Sequence, residues 1–177
     1  INEGKVNYEI NKYDKSKELV IDPTVIFSTF FGGSNYDRGY DIEVKDGNAF
    51  VTGCTRSPDF PIRDAYQEDN AGNYDIFITK FRIDGLGLYY STYIGGTGND
   101  HGTAITVDGD VDGYAYITGF SNSPNVGGFT ADTVIDSLIG LGGYDTFVMK
   151  LNTDGSNLLY YSRIGGVRND YGWGIDV

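Results

Sequence analysis

Short runs of β-branched and aromatic residues, broken at close intervals by Gly, Asp and Asn, recur along the chain, and no convincing helical period interrupts them. Between residues 97 and 165 this pattern predicts four strands, at about 103–108, 114–120, 144–151 and 157–164. Ile76–Phe81 and Thr146–Leu151 are apolar on both alternating faces for most of their length, so each sheet should be covered on both sides. Asp84-Gly85 and Asp154-Gly155 follow these two strands, where a tight hairpin uses glycine for a positive φ. The expectation is an all-β chain of four-stranded antiparallel meanders.

The pattern is an internal repeat. Phe27-Ser-Thr-Phe-Phe-Gly-Gly-Ser-Asn-Tyr-Asp37-Arg-Gly39 matches Tyr90-Ser-Thr-Tyr-Ile-Gly-Gly-Thr-Gly-Asn-Asp100-His-Gly102, and both match Tyr161-Ser-Arg-Ile-Gly-Gly-Val-Arg-Asn-Asp170-Tyr-Gly172. Between them, Ala49-Phe-Val-Thr-Gly53 matches Ala115-Tyr-Ile-Thr-Gly119, and Tyr74-Asp75-Ile-Phe-Ile-Thr-Lys80 matches Tyr144-Asp145-Thr-Phe-Val-Met-Lys150. The Gly-Gly pairs end at Gly33, Gly96 and Gly166, which gives spacings of 63 and 70 residues. Without helices to cover the sheets, sheets must cover one another, and four-stranded units repeated radially describe a β-propeller.

These motifs, in this order, resemble the SBBP β-propeller repeat of large microbial cell-surface and secreted proteins, over about Val25 to Val177. The resemblance implies blades at about 34–95 and 97–165, with a third repeat begun at about 166. It also implies an outer strand at Thr24–Phe31 and an inner strand at Trp173–Val177, hence two complete blades with partial blades at both ends of the unit 23–177. Tyr13-Asp-Lys-Ser-Lys-Glu-Leu-Val-Ile-Asp-Pro23 resembles the end of the β-rich domain that often precedes such repeats. Rings close with about four to eight blades. Two readings therefore stand together: a piece of a longer propeller, or copies that complete their blades by pairing strands between chains.

Residues 1–22 read differently, as an N-terminal hairpin or linker: Val6–Ile10 alternates like a strand, Asn11–Lys17 is a polar turn and Leu19–Ile21 a second short strand. Composition sharpens the picture. The chain has 177 residues with 26 Gly, 15 Tyr and 10 Phe, and its acids are 20 Asp against 5 Glu, which is turn chemistry. A net charge of -12 argues against nucleic acid and anionic membrane as partners. No apolar run is long enough for a membrane span, and the first residues look like those of an excised or processed piece. Cys54 is the only cysteine and His101 the only histidine, so one chain cannot assemble a Cys/His zinc site.

Asp108-Gly-Asp110-Val-Asp112-Gly113 carries the sharpest chemical signal: three carboxylates at alternating positions followed by glycine can wrap oxygen ligands around calcium. The later carboxylate such a loop expects is absent, because position 12 is Gly119, and a solvated hairpin explains the same residues. Asp37, Asp100 and Asp170 recur after the Gly-Gly turns, and Asp75 and Asp145 before the third strands. Recurrence favours a structural role, a carboxylate accepting backbone N–H groups in a turn that leads one blade to the next. His101 reads as a surface turn histidine, and no nucleophile elbow, triad or phosphate loop is present, so no catalytic residue is assigned. Tyr36, Tyr66, Tyr74, Tyr144 and Tyr171 lie in or beside loops, where their rings could stack on sugars or support a protein interface. The expected function is a non-enzymatic, extracellular structural, adhesive or assembly module whose partner is protein. A calcium-assisted glycan-binding module and a fragment of a larger propeller enzyme are the alternatives.

Overall fold

The computed structural model describes residues 14, 16–18, 28–109, 113–128 and 143–177. Among them there is no helix. Eight strands form two antiparallel four-stranded sheets, each in sequential order. The first sheet comprises β1 (Asp37–Lys45), β2 (Asn48–Thr55), β3 (Asp75–Phe81) and β4 (Leu88–Ile94); the second comprises β5 (Asp100–Asp108), β6 (Tyr114–Ser121), β7 (Asp145–Leu151) and β8 (Leu158–Ile164). The β1–β2 hairpin turns at Asp46 and Gly47, with φ of 49° and 77°, the two positive values that a two-residue turn matched to strand twist requires. The sheets are not closed into a ring.

Register makes the two sheets copies of each other. Asp37 opposes Thr55 as Asp100 opposes Ser121, and Phe77 opposes Tyr93 as Phe147 opposes Arg163. Tyr160, opposite Lys150, is the counterpart of Tyr90, opposite Lys80. Because side chains alternate between faces, the front of the first sheet carries Phe50, Thr52, Ile76, Ile78, Tyr90 and Ile94. The back of the second carries Ile105, Val107, Ile117, Phe147, Met149 and Leu151. The apolar members of these two sets form one buried cluster, the main core. The front of one sheet thus packs on the back of the next, and the two faces of a sheet have different partners.

The closest approach is made by β5. A Cβ on Gly102 would lie 2.4 Å from Thr52 Oγ1 and 2.9 Å from Ile76 Cγ2, so the glycine lets the strand backbone settle directly on the first sheet. The Ile105 N–H donates to Asp41 Oδ2 at 2.9 Å across the same junction. Gly172 repeats the arrangement on the front of the second sheet, where its Cβ would lie 2.5 Å from Thr118 Oγ1 and 2.9 Å from Thr146 Cγ2. Its carbonyl accepts the Thr103 hydroxyl at 2.6 Å. Thr118 and Thr146 are the register counterparts of Thr52 and Ile76.

A smaller cluster lies on the back of the first sheet, where Phe31 and Val51 pack against Phe60, Phe77 and Tyr93. Phe31 meets Phe60 and Phe81 edge-on, with centroids 5.0 and 4.9 Å apart. Beside it an apolar depression of about 430 Å³ is lined by Ile42, Val51, Phe77 and Phe81 among others. Residues 28–33 and 173–177 run outside any sheet ladder, so the described parts of the two expected end strands are not strands here. The expected N-terminal hairpin lies outside the described residues except for its turn, where Asp14 Oδ1 accepts the N–H and hydroxyl of Ser16 at 3.0 and 2.7 Å.

Candidate functional site

The recurring aspartates mark the chain passages between sheets. In all three, Oδ2 accepts the N–H of the second glycine of the preceding Gly-Gly pair: Asp37 from Gly33 at 2.8 Å, Asp100 from Gly96 at 2.9 Å, and Asp170 from Gly166 at 3.0 Å. In the first two the same carboxylate also reaches the end of the neighbouring strand. Asp37 accepts Thr55 Oγ1 at 2.5 Å and Ser57 Oγ at 3.0 Å. Asp100 accepts the Ser121 hydroxyl, and the Ser123 hydroxyl at 2.7 Å. The sequence reading missed these hydroxyls, yet Thr55-Arg-Ser57 and Ser121-Asn-Ser123 follow the matched Thr-Gly motifs at the same distance, and extending the repeat would have found them. Asp100 is fully buried, and burial holds its carboxyl above the usual range.

Asp75 and Asp145 occupy equivalent buried sites with different partners. Asp75 Oδ2 accepts the Ala71 N–H and Gln67 Nε2, each at 2.8 Å, while Gln67 Oε1 accepts the Gly95 N–H at 3.0 Å. Asp145 Oδ2 takes the Arg163 guanidinium at 2.5 Å, with both side chains almost wholly buried. Arg163 also donates to the Ser123 carbonyl at 2.8 Å. Its counterpart Tyr93 serves the same place in the first sheet through its hydroxyl, which donates to the Ser57 carbonyl at 2.7 Å and accepts the Phe60 N–H at 2.9 Å.

His101 belongs to a strand rather than a turn. It lies in β5 opposite Phe120, half-buried, with its ring stacked on Phe120 at 4.7 Å and tilted against Tyr74 at 5.2 Å. Around it an aromatic row runs across the ends of both sheets. Tyr36 meets Tyr74, Phe120 meets Tyr144 and Tyr171, and Tyr171 meets Trp173, with centroids 4.9–6.3 Å apart. Four of the five loop tyrosines singled out from the sequence join this row. Tyr66 does not; its hydroxyl donates to the Gly127 carbonyl at 2.5 Å, tying the two sheets together elsewhere. Cys54 is buried, and burial pushes its thiol up to about 11.

Of the calcium candidates, Asp110 and Asp112 lie outside the described residues. Asp108 Oδ2 accepts the Tyr116 hydroxyl at 2.7 Å, and Tyr116 in turn accepts the Lys150 ammonium at 2.6 Å. Among the described residues no three His, Cys, Asp or Glu side chains converge as a metal-binding group.

Two groups, the buried Asp75 and the half-buried His101, pull the pH dependence of stability in opposite directions. Burial, aided by the charge of Asp100, pushes Asp75 up to about 6, so its favourable contribution is complete below the ordinary carboxylate range and is lost as pH rises through 6. Burial and the Arg38 charge hold His101 down at about 4, so the unfolded chain takes up its proton first and stability falls as pH drops below 6.5. The Asp75 effect is about 1 kcal/mol between pH 5 and 7, and that of the half-buried His101, reduced by solvent screening, is about the same. Relative to the parent chain, Asp75→Asn is expected to tilt stability towards pH 7 and His101→Phe towards pH 5. Urea unfolding at both pH values measures this, and tilts of the same sign in the two variants would contradict the assignment.

The two open faces complete the geometry. Ile42 and Val44, on the back of the first sheet, are 58% and 61% exposed, whereas their counterparts Ile105 and Val107 are 3% and 7% exposed. On the front faces the contrast reverses: Tyr90 and Ile94 are 0% exposed, and their counterparts Tyr160 and Ile164 are 39% and 54% exposed. Compared with known protein families and with characterised proteins, the chain matches none.

Proposed function

We propose that this chain is a non-enzymatic structural module, of the β-propeller kind that its repeats resemble, which works by packing four-stranded sheets front to back in series. In this reading it belongs to an extracellular microbial surface protein and serves adhesion or assembly. The observation that carries the proposal is the exposure of side chains whose repeat counterparts are core: Ile42 and Val44 against Ile105 and Val107, Tyr160 and Ile164 against Tyr90 and Ile94. Faces of this composition are suited to further sheets of the same type. The docking of Gly172 on Thr118 and Thr146, as Gly102 docks on Thr52 and Ile76, supports the same reading, because it seats the chain after the third Gly-Gly turn on the second sheet as β5 is seated on the first. Stability in such arrays is a sum of unit and interface contributions.

The test is to append a third four-stranded unit, copied from residues 97–165, in continuation of Gly166. Burying the front of the second sheet should stabilise that sheet by roughly 3 kcal/mol, the gain expected for a few large apolar side chains. Thermal unfolding of the two-sheet and three-sheet chains measures it. A third unit that melts on its own, leaving the second sheet no more stable, would contradict the proposal.

A further inference from the structure

A cleft of about 420 Å³ opens between the two sheets, away from their two open faces. One wall is the first sheet, through Lys80 and Tyr89, with Asp64 from the β2–β3 connection; the other is the β7–β8 hairpin, through Thr153, Asp154 and Ser156. Both walls are present, so units stacked on the back of the first sheet or the front of the second leave the cleft as it is.

The hairpin is seated closely on the first sheet. Gly155, at a φ of 78°, lies on the Tyr90 ring, where a Cβ would come within 2.3 Å of Tyr90 Cγ. Asp154 Oδ1 accepts the hydroxyl and the N–H of Ser156 at 2.6 and 3.0 Å, and these bonds hold its carboxyl below the usual range. On the opposite wall Lys80 is 1% exposed, with its ammonium 5.1 Å from the Phe50 ring centre and 5.0 Å from that of Tyr89. Tyr89 is the extra residue of a β-bulge, since Lys80 opposes Tyr90 and Phe81 opposes Leu88. It stays 45% exposed although the second sheet is in place over its neighbour Tyr90, which is 0% exposed.

The repeat separates what the fold needs from what the cleft adds. Lys80, Asp84 and Gly85 recur as Lys150, Asp154 and Gly155. Tyr89 does not recur, its counterpart being Leu159, and Thr153 and Ser156 stand where the first hairpin carries Ile83 and Leu86. The ring and the two hydroxyls are thus additional to the recurring glycine that docks the hairpin. Carboxylates that accept, an ammonium that donates and hydroxyls that do either share this space with one aromatic ring. A ligand amine would meet Lys80 and a ligand carboxylate would meet Asp64 and Asp154. Sugar hydroxyls both donate and accept, and sugar C–H faces pack on aromatic rings. The volume lies in the range of small-ligand pockets.

We propose that this cleft binds a neutral saccharide of one or two hexose rings, with a ring against Tyr89 and hydroxyls on Asp64, Lys80, Thr153, Asp154 and Ser156. The site uses none of the five loop tyrosines and no calcium loop. It goes beyond the stacking role, and because it is read from binding and stacking from unfolding, either can fail alone.

Saturation-transfer NMR with glucose, galactose, mannose, N-acetylglucosamine, maltose and cellobiose, each offered separately, tests the proposal. At least one should bind with a Kd of about 1 mM or tighter. Tyr89→Leu and Ser156→Leu each install the residue of the other repeat, so the fold should hold, as an unchanged circular dichroism spectrum verifies. Tyr89→Leu should weaken binding roughly 5–10-fold by removing the ring, and Ser156→Leu at least as much by filling the cleft. The proposal is overturned if none of these sugars binds, if the bound sugar keeps full affinity in either variant, or if ethylammonium or acetate binds more tightly than every sugar and loses affinity in Tyr89→Leu.

Discussion

Exchanging Arg163 for methionine should destabilise the second sheet by about 3–5 kcal/mol, a large part of the stability of a domain this size. The cost does not come from a strong ion pair, because desolvation offsets most of the attraction between Arg163 and Asp145. It comes from what stays behind. Asp145 is fully buried, and without the guanidinium its carboxylate loses the charge that opposes it, while the Ser123 carbonyl loses a donor. The double variant Asp145→Asn with Arg163→Met should therefore recover part of the loss, since two neutral side chains remain. Tyr93→Phe, at the equivalent position of the first sheet, removes only one hydroxyl with its two hydrogen bonds and should cost about 1–2 kcal/mol. Urea unfolding ranks the three variants. A cost below 1 kcal/mol for Arg163→Met, or a double variant worse than the single, would contradict this account.

The recurring aspartates provide a graded series inside one chain. Asp100→Ala deprives the Gly96 N–H and the Ser121 and Ser123 hydroxyls of their acceptor at a site sealed from water, at an expected cost of about 3 kcal/mol or more. Asp170→Ala removes a single hydrogen bond at an exposed turn where water can replace it, and should cost less than about 1 kcal/mol. Asp37→Ala, part-buried with three donors, should fall between them. Equal costs at the three positions would mean that the turn itself, rather than its burial between sheets, sets the contribution of the carboxylate.

Local physics made the strands and hairpins legible in the sequence. Runs of β-branched and aromatic residues, and glycines at the hairpin turns, depend on near neighbours alone, and the four expected strands of the second sheet overlap the observed ones. The aspartate partners were less legible because Asp37 and Asp100 bond along their own turns and also across to the end of the next strand, some twenty residues away. His101 was misplaced for a related reason. Asn-Asp before it and Gly102 after it are turn signals, but pairing with Phe120 draws the residue into β5, where its ring joins the aromatic row. The Arg163–Asp145 pair was invisible, since Arg163 finds Asp145 only through the β7–β8 pairing. The stacking order was invisible too: periodicity shows that both faces of a strand are apolar, and only register shows which face meets which sheet.

Front-to-back stacking is the central claim, and chemical labelling of tyrosines in the three-sheet chain tests it most directly. In the two-sheet chain, nitration should modify the exposed Tyr160 and spare the buried Tyr90. When the third unit is appended, Tyr160 should become as protected as Tyr90, because its counterpart position is then covered by the back of a following sheet. Continued labelling of Tyr160 at its two-sheet rate, in a chain whose third unit is folded, would show that the sheets do not stack in series and would contradict the account.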